Sequence, residues 1–301
     1  MRVGVTLPQT EMGTDPIAVR DYVQAVEQLG YHHINSLDHV LGANAASRPD
    51  WQGPHDHNDL IHEPFVLFGY LAAITNKVEL STTVVILPQR QTALVAKQVA
   101  EIDVLSGGRM RLGIGIGWND VEFEALGENF HDRGRRSEEQ IEVMRELWTR
   151  DLVPYNGRWH TITDAGINPL PVRRPIPVWL GGGAERAIRR VARIGDGWLP
   201  YFAPDESGHV FAPDEDGRAT IERLHSYARE AGRDPGQIGI EGRIMFVGTS
   251  PEDRVSDAKA WSGAGATHLS VRTVGAQLPF PGGHIDAVRQ VMGELRNAGI
   301  T

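Results

Sequence analysis

The chain contains no cysteine, which excludes disulfides, thiolate nucleophiles, iron–sulfur clusters and zinc–thiolate sites together. That absence fits a reducing cytoplasm, the expected location. No apolar run approaches the roughly 18 residues of a membrane span. Met1 leads straight into the strand-like stretch Arg2 to Leu7, so no signal peptide is expected. Basic residues are the minority, 30 against 39 acidic for a formal net charge of −9. That balance argues against unspecific binding to nucleic acid or to an anionic membrane surface. Gly-x-Ser-x-Gly is missing, so serine-hydrolase chemistry has no anchor. Internal repeats and low-complexity tracts are also missing. What remains is the composition of an ordinary globular protein, for which a small-molecule substrate is the expected partner once the strand ends are considered.

What is present is a sustained alternation of strand and helix patterns over 301 residues. The first strand is Val3 to Leu7. A helix opens at Asp15-Pro16, cap then proline, and carries Val19, Tyr22, Val23, Val26 and Leu29 at the 3.6 period before Gly30. Further strands are expected at Tyr31–Leu37, Val78–Leu87, Met110–Ile116, Val178–Gly181, Gly197–Pro200, Ile238–Val247 and Thr267–Arg272, each followed by helical sequence. Two insertions interrupt the pattern. Residues 42–62 form a polar loop without periodicity. Residues 120–176 are mostly helical to Thr149, then give a hairpin signal over Val153–His160 with Asn156-Gly157 inside it. Eight strand–helix units predict a single (β/α)8 TIM barrel over residues 1–301, an α/β fold, with a doubly wound open sheet as the rival.

Ligands gather where barrel strands end. Those ends are rich in glycine, small hydroxyls and apolar groups and poor in carboxylates and metal ligands, a lining suited to a planar ring. The Asp38-His39 pair is the sharpest chemical signal: a strand-end histidine exchanges protons near neutral pH, and its neighbour could orient it. The plain alternative is a turn cap beside a surface histidine. Gly113, Gly115 and Gly117 lack dinucleotide-fingerprint spacing, and crowding of barrel strands accounts for some of them. Gly181-Gly182-Gly183, before a helix, is a better anion cradle, because a helix start offers free amides. Arg186, Arg189, Arg190 and Arg193 follow on that helix and read as a solvated face. Trp51, Trp118, Tyr201 and Phe246 could wall an apolar substrate, although tryptophan is more often plain packing. His55, His57 and His62 lack a matching carboxylate–histidine set, so no metal is expected.

Taken in order, Ser36-Leu37-Asp38-His39, Leu80 to Pro88, Leu105-Ser106-Gly107-Gly108-Arg109, Gly113 to Phe123, Gly134-Arg135-Arg136 and Pro177 to Trp198 resemble the luciferase-like monooxygenase superfamily. The likeness is closest to its branch of coenzyme F420-dependent oxidoreductases. It implies a barrel with an insertion before the fifth strand and a non-proline cis peptide at Thr83-Val84. It also implies a tricyclic ring in the barrel mouth bound by Asp38, His39, Thr83, Val84, Gly115, Gly117, Trp118, Leu180, Gly181, Gly182 and Gly183, its phosphate on the triple glycine. Trp118 departs from a branch with a glutamate acid/base at this place. Expected chemistry is hydride transfer between a deazaflavin and a small organic substrate, with His39 and Asp38 catalytic and His39 handling the proton. The resemblance further implies a homodimer. Two readings stand beside it: an FMN-dependent monooxygenase using oxygen, and a flavin-binding protein without catalysis.

Overall fold

The structure, a computed structural model, describes residues 1–202 and 212–301. The chain runs through β1 (Arg2–Thr6), α1 (Pro16–Gln28), β2 (His33–Ser36), α2 (Pro64–Ile74), β3 (Glu79–Thr82), β4 (Val85–Ile86) and α3 (Thr92–Leu105). It continues through β5 (Met110–Gly115), α4 (Asp120–Ala125), α5 (Arg133–Thr149), β6 (Val153–Asn156), β7 (Thr161–Ala165), β8 (Val178–Gly181) and α6 (Glu185–Ile194). The last third holds β9 (Gly197–Leu199), α7 (Glu215–Glu230), β10 (Gly239–Met245), α8 (Pro251–Gly263), β11 (His268–Arg272) and α9 (Gly282–Asn297).

Parallel pairing joins β3, β2, β1, β11, β10, β9, β8 and β5 in that order, and β3 pairs with β5 to close the ring. The result is a closed eight-stranded parallel (β/α)8 barrel with helices outside, as the alternation predicts. Local signals explain the elements. The Asp15 side chain accepts the Ile17 amide at the start of α1, and Val19, Tyr22, Val23 and Val26 are buried against the strands. Each such fully buried apolar side chain stabilises the fold by about 1.5–3 kcal/mol. Ser250 and Asp253 form a reciprocal capping box on α8. Among the described residues, no helix is long and apolar enough to cross a membrane.

Three segments differ from expectation. The stretch Val78–Leu87 is not one strand. The Thr83 amide makes its ladder bond to Ser36 at 2.7 Å, whereas the Ile86 amide donates to the Asp38 carboxylate. Between them the Thr83–Val84 peptide is cis. The helical stretch 120–149 breaks into α4 and α5, with Gly127 at a φ of 70° between them. The hairpin sits later than Asn-Gly suggests: one carboxylate, that of Glu139, accepts the amides of Arg158, Trp159 and His160. Those residues are drawn into the turn, and the second arm is β7.

Strand alternation sends 241 and 243 of β10 and 268, 270 and 272 of β11 into the lumen. On the outer face, a Cβ added at Gly242 would lie 2.4 Å from Trp261. The lower lumen is filled by charge and one large ring. Arg111 donates to Glu79 and to Glu241, both at 2.7 Å, and its guanidinium lies 4.3 Å from the Trp179 ring centroid. Asn35 and His33 also reach Glu241, at 2.5 and 3.3 Å. Burial pulls the Glu241 carboxyl upward, but Arg111 and His33 outweigh it and hold the group well below the usual carboxylate range. Burial, reinforced by Arg111 and His33, drives His268 down to about 3, so its ring stays neutral in the fold.

Candidate active site

His39 leaves the end of β2 and meets a carboxylate that is 83 residues distant in sequence. Its Nδ1 lies 3.1 Å from Oε2 of Glu122, on α4. Oε1 of Glu122 accepts the amides of Val40 and Leu41 at 2.8 and 3.2 Å, and Gln89 donates to Oε2 at 3.3 Å. Burial raises the Glu122 carboxyl, yet the His39 bond and the two amides prevail and keep it below the usual range. An ionised carboxylate only accepts, so Nδ1 of His39 carries the proton toward Glu122. The ring stands between aromatic neighbours, His55 at 5.1 Å and Trp118 at 5.7 Å between centroids. Trp118 in turn meets Trp51 at 5.5 Å.

Asp38 has other work. Its buried carboxylate takes Arg90 at 2.7 Å and the Ile86 amide at 3.1 Å, while Arg90 also reaches Glu63 at 2.8 Å. It knits the end of β2 to β4 and to the approach of α2. The orienting partner of His39 is Glu122, which the sequence reading passed over. Its signal was a carboxylate one helical turn after Trp118.

The strand-end glycines are spoken for by the protein itself. A Cβ at Gly113 would stand 1.9 Å from the Thr82 carbonyl oxygen. One at Gly115 or Gly181 would stand 2.4 or 2.9 Å from the Val84 methyls. The missing side chains seat Val84, half-exposed at the mouth beside Thr83. Gly117 has a φ of 77° and no room for a Cβ beside Ile86. Leu180 is buried in the core. Gly182, at a φ of 126°, turns the chain into α6, whose N-cap residue Ala184 offers no side-chain cap.

Beside that uncapped helix start lies a cleft of about 690 Å³ lined by Arg133, Arg135, Arg186, Arg189, Arg190 and Arg193. Glu138 pairs with Arg190 and Arg193, and Glu185 with Arg189. The expected solvated face is thus one wall of a concave, cation-rich surface, which periodicity along one helix could not reveal. Tyr201 is exposed, whereas Phe246 packs on the core with the Arg254 guanidinium 5.1 Å from its ring centroid. The three loop histidines separate: His55 faces Asp59 at 3.5 Å and His62 meets the Gly13 carbonyl at 3.1 Å. Among the described residues, no group of three metal-ligating side chains comes together. Deeper in the mouth, Arg243 and Arg272 line a cavity of about 40 Å³ with Thr6, Thr83, Ser270 and Glu241. Arg272 stands at a strand end, but its partner Arg243 lies mid-strand and was not anticipated.

Comparisons with known proteins agree with this architecture. A profile of the luciferase-like monooxygenase family matches residues 1–291. An uncharacterised protein of Mycobacterium tuberculosis is 39% identical over 151 residues, 50% of this chain and 52% of that protein. The chain thus spans about half the length of that relative. The FMNH2-dependent dimethylsulfone monooxygenase of Pseudomonas putida is 31% identical over 229 residues, 72% of this chain and 60% of that protein. Solved structures share the fold at low identity. An F420-dependent secondary alcohol dehydrogenase, in complex with an F420–acetone adduct, gives a TM-score of 0.76 at 19% identity, covering 98% of this chain and 99% of that one. Long-chain alkane monooxygenase gives 0.78 at 13% identity, covering 99% and 92%. Matched along nearly its whole length, the chain belongs to the luciferase-like monooxygenase family.

Proposed function

We propose that this oxidoreductase uses coenzyme F420 and transfers hydride between the deazaflavin and a small organic substrate. The observation that carries the reading is the His39–Glu122 pair: a proton-exchanging group, oriented by a buried carboxylate, in a mouth without a nucleophile triad or metal cluster among the described residues. The uncapped start of α6 and the adjoining arginines suit a phosphate followed by further anionic groups. That extended charge favours F420, with its acidic tail, over FMN, whose charge ends at one phosphate. When bound, a deazaflavin supplies two-electron hydride chemistry at carbon and reacts poorly with oxygen. Val84, Trp118 and Trp51 present apolar surface at the mouth. His39 holds or takes the accompanying proton at Nε2, and Glu122 fixes the ring's orientation through Nδ1. Thr83, Gly115, Gly117, Leu180, Gly181, Gly182 and Gly183 shape this pocket through the backbone, and Asp38 does so through its carboxylate, which holds Arg90 and the Ile86 amide.

Reduced FMN with oxygen is the second reading, favoured by the similarity to the dimethylsulfone monooxygenase. Fluorescence titration of the purified protein with F420, its phosphate-free deazaflavin core and FMN separates the two. F420 is expected to bind tightest, with the core and FMN weaker; FMN binding tightest overturns the cofactor choice. His39→Ala is expected to lower turnover by about 10²–10⁴-fold with the F420 titration unchanged, and unaltered turnover removes His39 from the chemistry. Bound reduced cofactor that no acceptor oxidises would mark a binding protein instead.

A further inference from the structure

Arg243 and Arg272 are the unexplained charges of the barrel. Register puts Arg243 opposite Ser270, and Met245 opposite Arg272, so both guanidiniums enter the upper lumen from neighbouring strands. Neither has an ion pair or hydrogen bond among the described residues, and Nε of Arg272 is buried without an acceptor. Glu241 lines the same cavity, but its oxygens are already committed below to Arg111, Asn35 and His33. Glu79 is likewise held by Arg111. His33 and His268 are both driven toward the neutral form by burial, so they add no positive charge, and a histidine supplies no negative charge in either form. Burial and the like charge of Arg243 lower Arg272 to about 10, still protonated at neutral pH. The opposite charge acting on Arg243 is that of the already committed Glu241, and no carboxylate offsets Arg272, an unfavourable balance for two neighbouring cations in such a place. An anion would complete it.

Size narrows the choice. The cavity of about 40 Å³ takes roughly three waters, at about 10–15 Å³ for each. It is too small for a ring and large enough for one compact oxyanion. Thr6, Thr83 and Ser270 add hydroxyl donors around it.

We infer that Arg243 and Arg272 form the subsite for a compact monoanionic group, a carboxylate or sulfonate, carried by the organic substrate. The inference rests on reading the mouth as the reacting site, and it adds what kind of substrate is accepted there. The forked guanidiniums bind the two oxygens of such a group and fix its register. The remainder of the substrate then extends outward toward the apolar mouth.

The test is calorimetric titration of the purified protein, with and without saturating F420, using acetate and methanesulfonate against the neutral isosteres acetamide and dimethyl sulfone. An anion is expected to bind saturably and its isostere not. Arg243→Met and Arg272→Met, shown to be folded by circular dichroism, are each expected to weaken anion binding at least about tenfold while F420 affinity is unchanged. Equal binding of the isostere, unaltered anion affinity in both variants, or loss of F420 rather than anion affinity each overturns the subsite. If a methionine variant does not fold, Arg272→Lys replaces it: weakened anion binding with F420 affinity kept supports the subsite, and wild-type anion affinity overturns it. A wild-type protein that binds the anion but neither F420 nor FMN would sink the cofactor reading alone.

Discussion

The floor and the mouth of this barrel use the same residue types in opposite ways. On the floor, Arg111 is clasped by Glu79 and Glu241, with His33 and Asn35 completing the second carboxylate. Two and four strand positions higher, Arg243 and Arg272 have no such clasp among the described residues. Paired charge inside a protein fixes structure, whereas buried charge left open is a demand on something that arrives later. The division matches the general one for these barrels, stability below and chemistry above.

The contrast is sharpest for arginine removal. Arg111→Met strands two buried carboxylates and is expected to lower unfolding free energy by about 3–5 kcal/mol, measured by urea denaturation. Glu241 is depressed in the fold, so its contribution is complete above the ordinary glutamate range near 4.3 and lost as pH falls through the folded value. Without Arg111, burial pulls the stranded carboxyl upward, so the deficit of the variant relative to the wild type is expected to shrink as pH falls and the group takes up a proton. Arg272→Met, which relieves a like-charge contact, is expected to leave stability equal or higher. Equal losses in both variants would erase the distinction.

Next in size is Glu122→Gln. The amide can still accept from Val40 and Leu41 but no longer carries charge for His39. Turnover is expected to drop by about 10²-fold, the scale of a misplaced group, with the pH profile displaced and F420 affinity kept. Stopped-flow reduction at several pH values reads it; an unmoved profile reduces Glu122 to a structural brace.

The smallest effect belongs to His268 on the floor. Burial keeps it neutral down to about 3. Below the ordinary histidine value near 6.5 the unfolded chain takes up the proton and the fold does not, so stability falls with pH. By pH 5 this costs about 2 kcal/mol, and His268→Gln is expected to remove that part of the slope in urea midpoints. A slope that persists in full would mean the floor admits water.

How much of this was readable in advance depends on distance along the chain. Barrel strands announce themselves because both faces are buried and each is followed by an amphipathic helix with its own cap, as in the Asp15-Pro16 start of α1. His39 was readable because it follows a strand end. Asp38 misled because adjacency in sequence is not adjacency of side chains: its partner Arg90 lies 52 residues away, and that of His39 lies 83 away. The glycines read as room for a ligand, and what the sequence does not show is that Val84, brought over from a different strand end, stands beside Gly115 and Gly181. Arg243 was hidden in mid-strand, where alternation gives a residue's face but not its height in the barrel.

The Glu122 carboxylate has one last implication. Its two oxygens grip different things: the amides that root the 42–62 segment, and the imidazole next to them. One side chain therefore anchors both the root of that segment and the ring beside it, so a change at position 122 loosens the two together.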